Sequence, residues 1–265
     1  MKKERLDEAL VRLQYADTPE LARAIIMEGR VFQNGNRLDK PAILLASDVG
    51  LTVKGDKLPY VSRGGLKLEK AIDAFGLTFE GKTCMDVGSS TGGFTDCMLQ
   101  KGAQKVYAVD VGYGLLDWKL RNDPRVVVME RTNARLLNPE MTGGERMDFA
   151  SMDVSFISIR TVLPAVRTCM KENAHLAVLV KPQFEARREQ VGKGGIVRDP
   201  KVHREVLETV IAAMPAIGLM PQGLTVSPIK GVGGNTEFLL HLTNTELNDA
   251  AFQAERAIED VLRFV

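Results

Sequence analysis

Residues 83–97 read Thr83-Cys84-Met85-Asp86-Val87-Gly88-Ser89-Ser90-Thr91-Gly92-Gly93-Phe94-Thr95-Asp96-Cys97, and they decide the fold. A short apolar strand runs into Asp86-Val87-Gly88. A turn of small residues follows, Ser89 to Gly93, and a helix opens at about Gly93-Phe94. Some twenty residues later a second apolar segment, Val106 to Val109, ends in Asp110. Strand, glycine turn, helix, strand and terminal acid make up the nucleotide-binding half of a doubly wound α/β fold. Glycine lets a backbone approach a ligand closely, and a helix N-terminus presents free N–H groups to an anionic end. Asp110 is placed to accept hydrogen bonds from a ribose diol.

The turn by itself leaves the nucleotide open. A dinucleotide site calls for Gly-x-Gly-x-x-Gly, whereas Gly88-Ser89-Ser90-Thr91-Gly92-Gly93 stands here. Small polar residues with an acid before the first glycine suit S-adenosylmethionine better. Its amino-acid end would lie on the turn and needs an anion site together with an acid, Asp86, for its ammonium. The expected cofactor contacts are therefore Asp86, Gly88, the turn Ser89-Ser90-Thr91-Gly92-Gly93, Phe94 and Asp110. Asn133, in Arg131-Thr132-Asn133-Ala134 after the third strand, sits where such folds contact adenine; it equally suits a loop cap.

Composition bounds the function. The 265 residues suffice for one α/β domain and a small extra module. With 35 basic and 34 acidic residues the chain is almost neutral, so any surface for a polyanion must be local. Three cysteines (Cys84, Cys97, Cys169) lie in apolar segments without metal-ligand spacing, as in a reduced cytoplasmic protein. The three histidines are far apart, and no metal site is expected. The charged N-terminus is not a signal peptide, and no apolar run reaches the length of a bilayer span.

Residues 1–57 read as a separate α+β unit. Leu6, Leu10 and Leu13 share a helix face. Thr18 is an N-cap with Pro19 at the first helical position, and Gly29 ends the helix that follows. Val31 to Asn36 is a strand entering an Asn34-Gly35 hairpin turn, and Asp48 to Lys54 a closing strand. Residues 55–65 form the linker. Over 58–265, strands are expected at 83–87, 105–109, 125–129, 148–152, 175–181, 222–227 and 236–243. Helices are expected near 65–75, 93–101, 114–121, 158–171, 200–217 and 246–263. Seven strands with interleaved helices predict a doubly wound Rossmann-like domain whose last two strands form an antiparallel hairpin at the sheet edge. Trp118 and Phe94 are read as core residues.

Four charged residues fall where such a sheet presents its ligand edge: Lys67 in Ser62-Arg63-Gly64-Gly65-Leu66-Lys67-Leu68, Asp153 after the fourth strand, Lys181 in Lys181-Pro182-Gln183-Phe184, and Glu237 at the start of the last strand. These motifs, in this order with the glycine turn, resemble the FtsJ-like ribose 2′-O-methyltransferases. The front unit resembles the S4 RNA-binding module, through Arg5-Leu-Asp-Glu-Ala-Leu, Ala24-Ile-Ile-Met-Glu-Gly29-Arg30-Val31 and Asn34-Gly35. Together they resemble the TlyA family, often labelled hemolysin A, over nearly the whole chain.

The resemblance implies S-adenosylmethionine-dependent 2′-O-methylation of ribosomal RNA, with Lys67, Asp153, Lys181 and Glu237 as the catalytic tetrad. A ribose hydroxyl is a very weak acid, and a lysine of ordinary pKa near 10.4 is protonated at neutral pH. Burial and a second ammonium would lower one lysine. Lys181 is therefore assigned as base and Lys67 as its depressing neighbour, with Asp153 and Glu237 holding both in line; Asp153 equally suits the sulfonium side of the cofactor. RNA contacts are expected from Arg5, Arg23, Arg30, Asn34, Arg63, Arg187, Arg188 and Lys193. The last three belong to a segment, Lys181–Arg204, with seven basic and three acidic residues. Residues 1–57 carry ten basic and nine acidic side chains, and Thr18-Pro19 stand where many S4 modules have Ser-Arg. The competing readings are a membrane-lytic hemolysin, a non-catalytic RNA-binding assembly factor and an NAD-dependent oxidoreductase. The absent export signal and the complete tetrad weigh against the first, and the turn sequence against the last.

Overall fold

The computed structural model describes residues 3–13, 15–16, 18–46, 48, 50–54, 58–245 and 252–265. It divides into two compact units, Met1–Ser62 and Arg63–Val265. Residues 55–57, at the head of the expected linker, lie outside the described residues.

In the first unit a strand β1 (Glu4–Arg5) leads into α1 (Leu6–Arg12), followed by α2 (Pro19–Met27), β2 (Val31–Gln33), β3 (Asn36–Leu38), β4 (Leu44–Leu45) and β5 (Leu51–Val53). Thr18 caps α2, its hydroxyl accepting from the Leu21 N–H at 3.2 Å, with Pro19 at the first turn as the sequence predicts. β2 is the centre of a three-stranded antiparallel sheet between β3 and β5, and β1 pairs with β4. Leu6, Leu10, Ile26 and Val31 are fully buried between the helices and the sheets.

The second unit carries α3 (Gly64–Phe75), β6 (Thr83–Val87), α4 (Gly93–Gln100), β7 (Lys105–Val109), α5 (Trp118–Arg121), β8 (Val126–Met129), β9 (Met147–Met152), α6 (Ile159–Thr168), β10 (Met170–Val180), α7 (Pro182–Glu185), α8 (Pro200–Ala213), β11 (Leu219–Val226), β12 (Phe238–Asn244) and α9 (Ala254–Leu262). The seven strands make one sheet in the order β11-β12-β10-β9-β6-β7-β8. β8, β7, β6, β9 and β10 are parallel; β12 runs antiparallel to β10 and β11 antiparallel to β12. The sheet is buried on both faces, which explains why its central strands read as unbroken apolar runs rather than alternations. Met85, Val87, Met152, Val178 and Leu240 pack on the side of α6, α8 and α9. On the opposite side Leu68 and Ala71 of α3 are fully buried, and Phe79 meets Phe149 edge-on at 4.8 Å.

Several expected boundaries shift. The helix expected over 114–121 is one turn, because Asp117 caps it only at Trp118, accepting from the Lys119 N–H. Helix α6 ends at Thr168, and β10 starts at Met170 rather than 175. The helix after 200 stops at Ala213, Pro215 opening a separate 3-10 turn. β11 begins at Leu219. Residues 246–251 of the last expected helix lie outside the described residues. Trp118 is 67 % exposed and not a core residue, whereas Phe94 is buried; a one-turn helix has no second face to cover an indole.

Candidate active site

The carboxyl ends of the parallel strands converge on one edge of the sheet, and the start of antiparallel β12 lies at that edge too, since Phe238 pairs with Val180. This topology brings together the four residues scattered through the sequence. Lys67 projects from α3, Asp153 follows β9, Lys181 follows β10 and Glu237 precedes β12. Lys67 Nζ donates to Glu237 Oε2 at 2.8 Å and to Asp153 Oδ2 at 3.2 Å. Lys181 Nζ stands 2.6 Å from Asp153 Oδ1 and donates to Ser155 Oγ at 3.0 Å. Asp153 is thus clamped between two ammoniums, and Glu237 and Lys181 are both buried.

The electrostatics of the cluster follow from these contacts. Burial pulls the Lys67 ammonium down, but the facing carboxylates of Asp153 and Glu237 outweigh it and hold Lys67 above its ordinary value. Burial pushes the Asp153 carboxyl up, and the two lysines more than reverse this, leaving it below the ordinary value. Lys67 is therefore a fixed cation locked to two acids. A carboxylate, that of Asp153, lies between the two lysines.

A cavity of about 440 Å³ opens beside the cluster, within the range of small-molecule sites. Gly88, Ser90, Asp110 and Asp153 supply its polar wall, and Val111 and Ile157 belong to its apolar one. The turn that bounds it is held by specific geometry. Gly88 has φ +83°, and a Cβ there would stand 2.5 Å from the Asp153 carbonyl oxygen, so only glycine lets the first turn approach the end of β9. Ser90 adopts a left-handed backbone, φ 48°, and its N–H donates to Asp110 Oδ2 at 2.8 Å. The other Asp110 oxygen accepts the Gly112 N–H at 2.7 Å. Each carboxylate oxygen keeps acceptor capacity toward the cavity.

One expected cofactor contact, Asp86, is engaged away from the cavity, and a second, Asn133, serves the loop as well. Asp86 is 1 % exposed and turned inward; it accepts from the N–H and hydroxyl of Thr95 at 2.9 and 2.7 Å and from Ser151 Oγ at 3.1 Å. Burial pushes its carboxyl up to about 6 against those hydrogen bonds. It ties the start of α4 to the sheet rather than facing the cavity. Asn133 lines the cavity but also caps the following turn, accepting from the Arg135 N–H at 3.1 Å. Ser89 and Phe94 are buried, and Gly92 and Gly93 start α4.

Three residues at this edge escaped the sequence reading of roles. Ser155 hydrogen-bonds Lys181. Phe156, φ 64° and 90 % exposed, borders the cavity with its ring 5.1 Å from that of Phe184. Glu185 is buried and accepts from Ser158 and the Ile159 N–H. The signal for Phe156 is local: an aromatic four residues past the carboxyl end of β9.

Four of the six expected RNA-contacting arginines, Arg5, Arg23, Arg30 and Arg187, carry carboxylate partners. Arg5 and Arg23 both hold the buried Asp7, at 2.8 and 3.2 Å. Arg30 donates to the Lys54 carbonyl, and Arg187 pairs with Glu205 at 2.7 Å. Among the described residues no group of three or more His, Cys, Asp or Glu is placed to hold a metal, and no helix is long and apolar enough to cross a membrane.

The FtsJ-like methyltransferase family model matches residues 60–244, and the S4 domain model residues 4–48. A Mycobacterium tuberculosis protein named 16S/23S rRNA (cytidine-2′-O)-methyltransferase TlyA is 44 % identical over 98 % of this chain and 96 % of its own length. Hemolysin A of Brachyspira hyodysenteriae is 44 % identical over 89 % of this chain and 98 % of its own. A solved Streptococcus thermophilus structure that carries a hemolysin name is 46 % identical with a TM-score of 0.78, covering 99 % of this chain and 97 % of its own. The chain belongs to the FtsJ-like methyltransferase family and carries an S4 domain ahead of the catalytic fold.

Proposed function

We propose that this protein transfers a methyl group from S-adenosylmethionine to a ribose 2′-hydroxyl of ribosomal RNA, with Lys67, Asp153, Lys181 and Glu237 as its catalytic residues. The observation that carries the reading is the buried Lys-Asp-Lys-Glu cluster at the rim of a nucleoside-sized cavity. The cavity fits the cofactor: an acid at a strand end for the ribose diol, a glycine turn for the amino-acid end and an apolar slot for the base. Gly88, Ser90, Thr91, Asp110 and Asn133 are the residues assigned to hold it. When bound there, it supplies an electrophilic methyl on a sulfonium.

This chain's own groups then orient and deprotonate the nucleophile. Lys67, fixed by two carboxylates, holds Asp153 and Glu237 in one arrangement. Lys181 Nζ, placed by Ser155 and Asp153, is assigned as the base: it first gives its own proton to solvent and then, as the neutral amine, takes the proton of the ribose hydroxyl. Fixing the hydroxyl with these side chains would lower the barrier by removing the entropy of bringing two reactants together. The exposed Phe156 ring offers a face against which the target base stacks.

RNA grip is assigned to the S4 unit (residues 1–57, through Arg5, Arg23, Arg30 and Asn34) and, on residues 58–265, to Arg63, Arg187, Arg188 and Lys193. Two relatives are named rRNA (cytidine-2′-O)-methyltransferases, which makes cytidine the first nucleoside to examine; a cytoplasmic protein acting on ribosomal subunits is the setting this reading assigns. The test is methylation of separated ribosomal subunits with labelled cofactor. Wild type is expected to label ribose in at least one subunit, and Lys181→Ala to bind cofactor normally without labelling. Label on a base rather than ribose, or full activity in Lys181→Ala, overturns the assignment.

A further inference from the structure

We infer that Glu185 is a positioning residue for methyl transfer, acting as the clasp that holds the lysine-bearing turn against the loop carrying Asp153. The inference rests on the proposed role of Lys181.

Two short connections make most of the catalytic edge. One, residues 153–158, follows β9 and carries Asp153, Ser155 and Phe156. The other, residues 181–185, follows β10 and carries Lys181 and Phe184. They come from neighbouring parallel strands, and the pairing between those two strands ends at Val178 and Met152, before either loop begins; the Asp153 N–H bonds instead to the Val87 carbonyl of β6, and β10 goes on pairing with β12 to Val180. Beyond that point side chains must fix the spacing.

Three sets of contacts do so. At the catalytic end Lys181 meets Asp153 and Ser155. In the middle the rings of Phe156 and Phe184 lie 5.1 Å apart. At the far end Glu185 Oε1 accepts the Ile159 N–H at 2.7 Å, and Oε2 accepts Ser158 Oγ at 2.7 Å and Arg160 Nε at 3.4 Å. The Glu185 side chain is 2 % exposed. Its carboxylate sits at the N-terminus of α6, where free N–H groups and the helix dipole favour an anion.

The geometry distinguishes this clasp from an ordinary cap. α6 already has a cap in Ser158, whose hydroxyl accepts the Arg160 N–H at 3.2 Å. The added acceptor comes from another segment, four residues after Lys181. α7 is a single turn beginning at Pro182, closed by the Ala186 N–H donating to the Pro182 carbonyl at 2.9 Å. Pro182 fixes φ at the head of the turn and the Ala186 N–H closes it, so the far-end anchor at Glu185 bears on where Lys181 points. Phe156 is strained, φ 64°, and stays so only while its surroundings over-determine it. Glu185 closes the ring of contacts that does this.

The test is steady-state methylation by full-length Glu185→Ala and Glu185→Gln, beside wild type and Lys181→Ala, with cofactor affinity and thermal unfolding measured on each. Gln keeps an acceptor for the Ile159 N–H and a group able to donate to Ser158 Oγ. Glu185→Ala is expected to lower kcat about 10- to 100-fold, the order lost when a reacting group moves by about 1 Å. KM for the subunit should stay within threefold, and the pH–rate profile should shift because the surroundings of Lys181 relax. Glu185→Gln should recover kcat to within threefold of wild type. Glu185→Ala with wild-type kcat, or with a loss that tracks only the fraction folded and an unmoved pH profile, overturns the inference. If Glu185→Ala does not fold, Glu185→Gln with Ser158→Ala must still lower kcat at unchanged KM, or the clasp is structural only. Full activity in Lys181→Ala instead overturns the underlying assignment, which separates the two failures.

Discussion

Removing Lys67 tests the electrostatic core of the site. Lys67→Met keeps much of the stem's volume and deletes the ammonium that Glu237 and Asp153 share. Asp153 retains Lys181 at 2.6 Å, but Glu237, 3 % exposed, loses its ion-pair partner. Breaking a buried pair by deleting one member costs about 3–5 kcal/mol, because the remaining charge is uncompensated. For a unit of this size each 1 kcal/mol lowers Tm by roughly 2–4 °C, so a fall of about 6–20 °C is expected. Glu237→Gln should cost less, since Lys67 still faces Asp153. The double variant should be more stable than Lys67→Met alone, giving a coupling energy of order 1–3 kcal/mol in a mutant cycle. The sign with pH follows from the shifts. Lys67 is raised, so the stability it contributes is complete below its ordinary pKa and is lost only as alkaline pH passes the folded value. The wild-type advantage should therefore be present throughout the neutral range. Urea denaturation at neutral pH measures all of this. Strict additivity of the two substitutions, or a cost below about 1 kcal/mol for Lys67→Met, would refute the clamp.

Three further outcomes are expected. The Asp86 carboxyl is raised to about 6, so the stability it contributes is present below about 3.8 and is lost as pH rises through 6; Asp86→Asn should stabilise by roughly 1–3 kcal/mol at pH 8 and not at pH 4, and a less stable variant at pH 8 in urea titration contradicts this. His241, stacked on Phe75 and 3.0 Å from His175, is lowered by burial to about 4; its contribution is present above about 6.5 and is lost as pH falls toward 4, worth up to about 3 kcal/mol, and His241→Asn should flatten that limb of the pH–stability curve. Gly88→Ala forces a Cβ onto the Asp153 carbonyl at φ +83°; strain of about 1–3 kcal/mol should appear as at least tenfold weaker cofactor binding by calorimetry, and unchanged affinity excludes that close approach as a requirement.

The doubly wound sheet was legible because its strands are buried on both faces: Thr83–Val87 and Lys105–Val109 stand out as apolar runs that end in acids. Asp153 and Lys181 stood out for the same reason, since charge at the end of such a run has few structural explanations, whereas Lys67, on a helix, and Glu237, at the head of a strand, joined them as candidates through the family resemblance. Helix ends were less legible, because caps compete locally; Asp117 postpones α5 and Pro215 truncates α8. The electrostatic state of Lys67 could not be read, since it depends on Asp153 and Glu237 closing on it, a fact of three-dimensional spacing. Asp86 shows the converse: its place in the motif suggested a ligand, whereas Thr95 and Ser151 absorb its acceptors. Glu185 is invisible by type, an acid in a basic segment, until its reach to α6 is seen.

Near-neutrality also acquires a physical reading. On the proposed RNA role, several of the arginines assigned to phosphate are already paired: Arg5 gives two donors to Asp7, and Arg187 gives one to Glu205. A guanidinium has five donors, so one carboxylate leaves others for a phosphate. Pairing cancels the long-range field that would gather polyanions indiscriminately, and it orders the side chain before the ligand arrives. The entropy of immobilising a long side chain at an interface is then partly spent during folding. Binding through such residues releases fewer counterions per arginine than binding through bare cations. An enzyme that must pick one ribose from a whole ribosomal subunit gains from that exchange. It gives up attraction at a distance, which all RNA shares, and keeps the short-range fit that only the correct site provides.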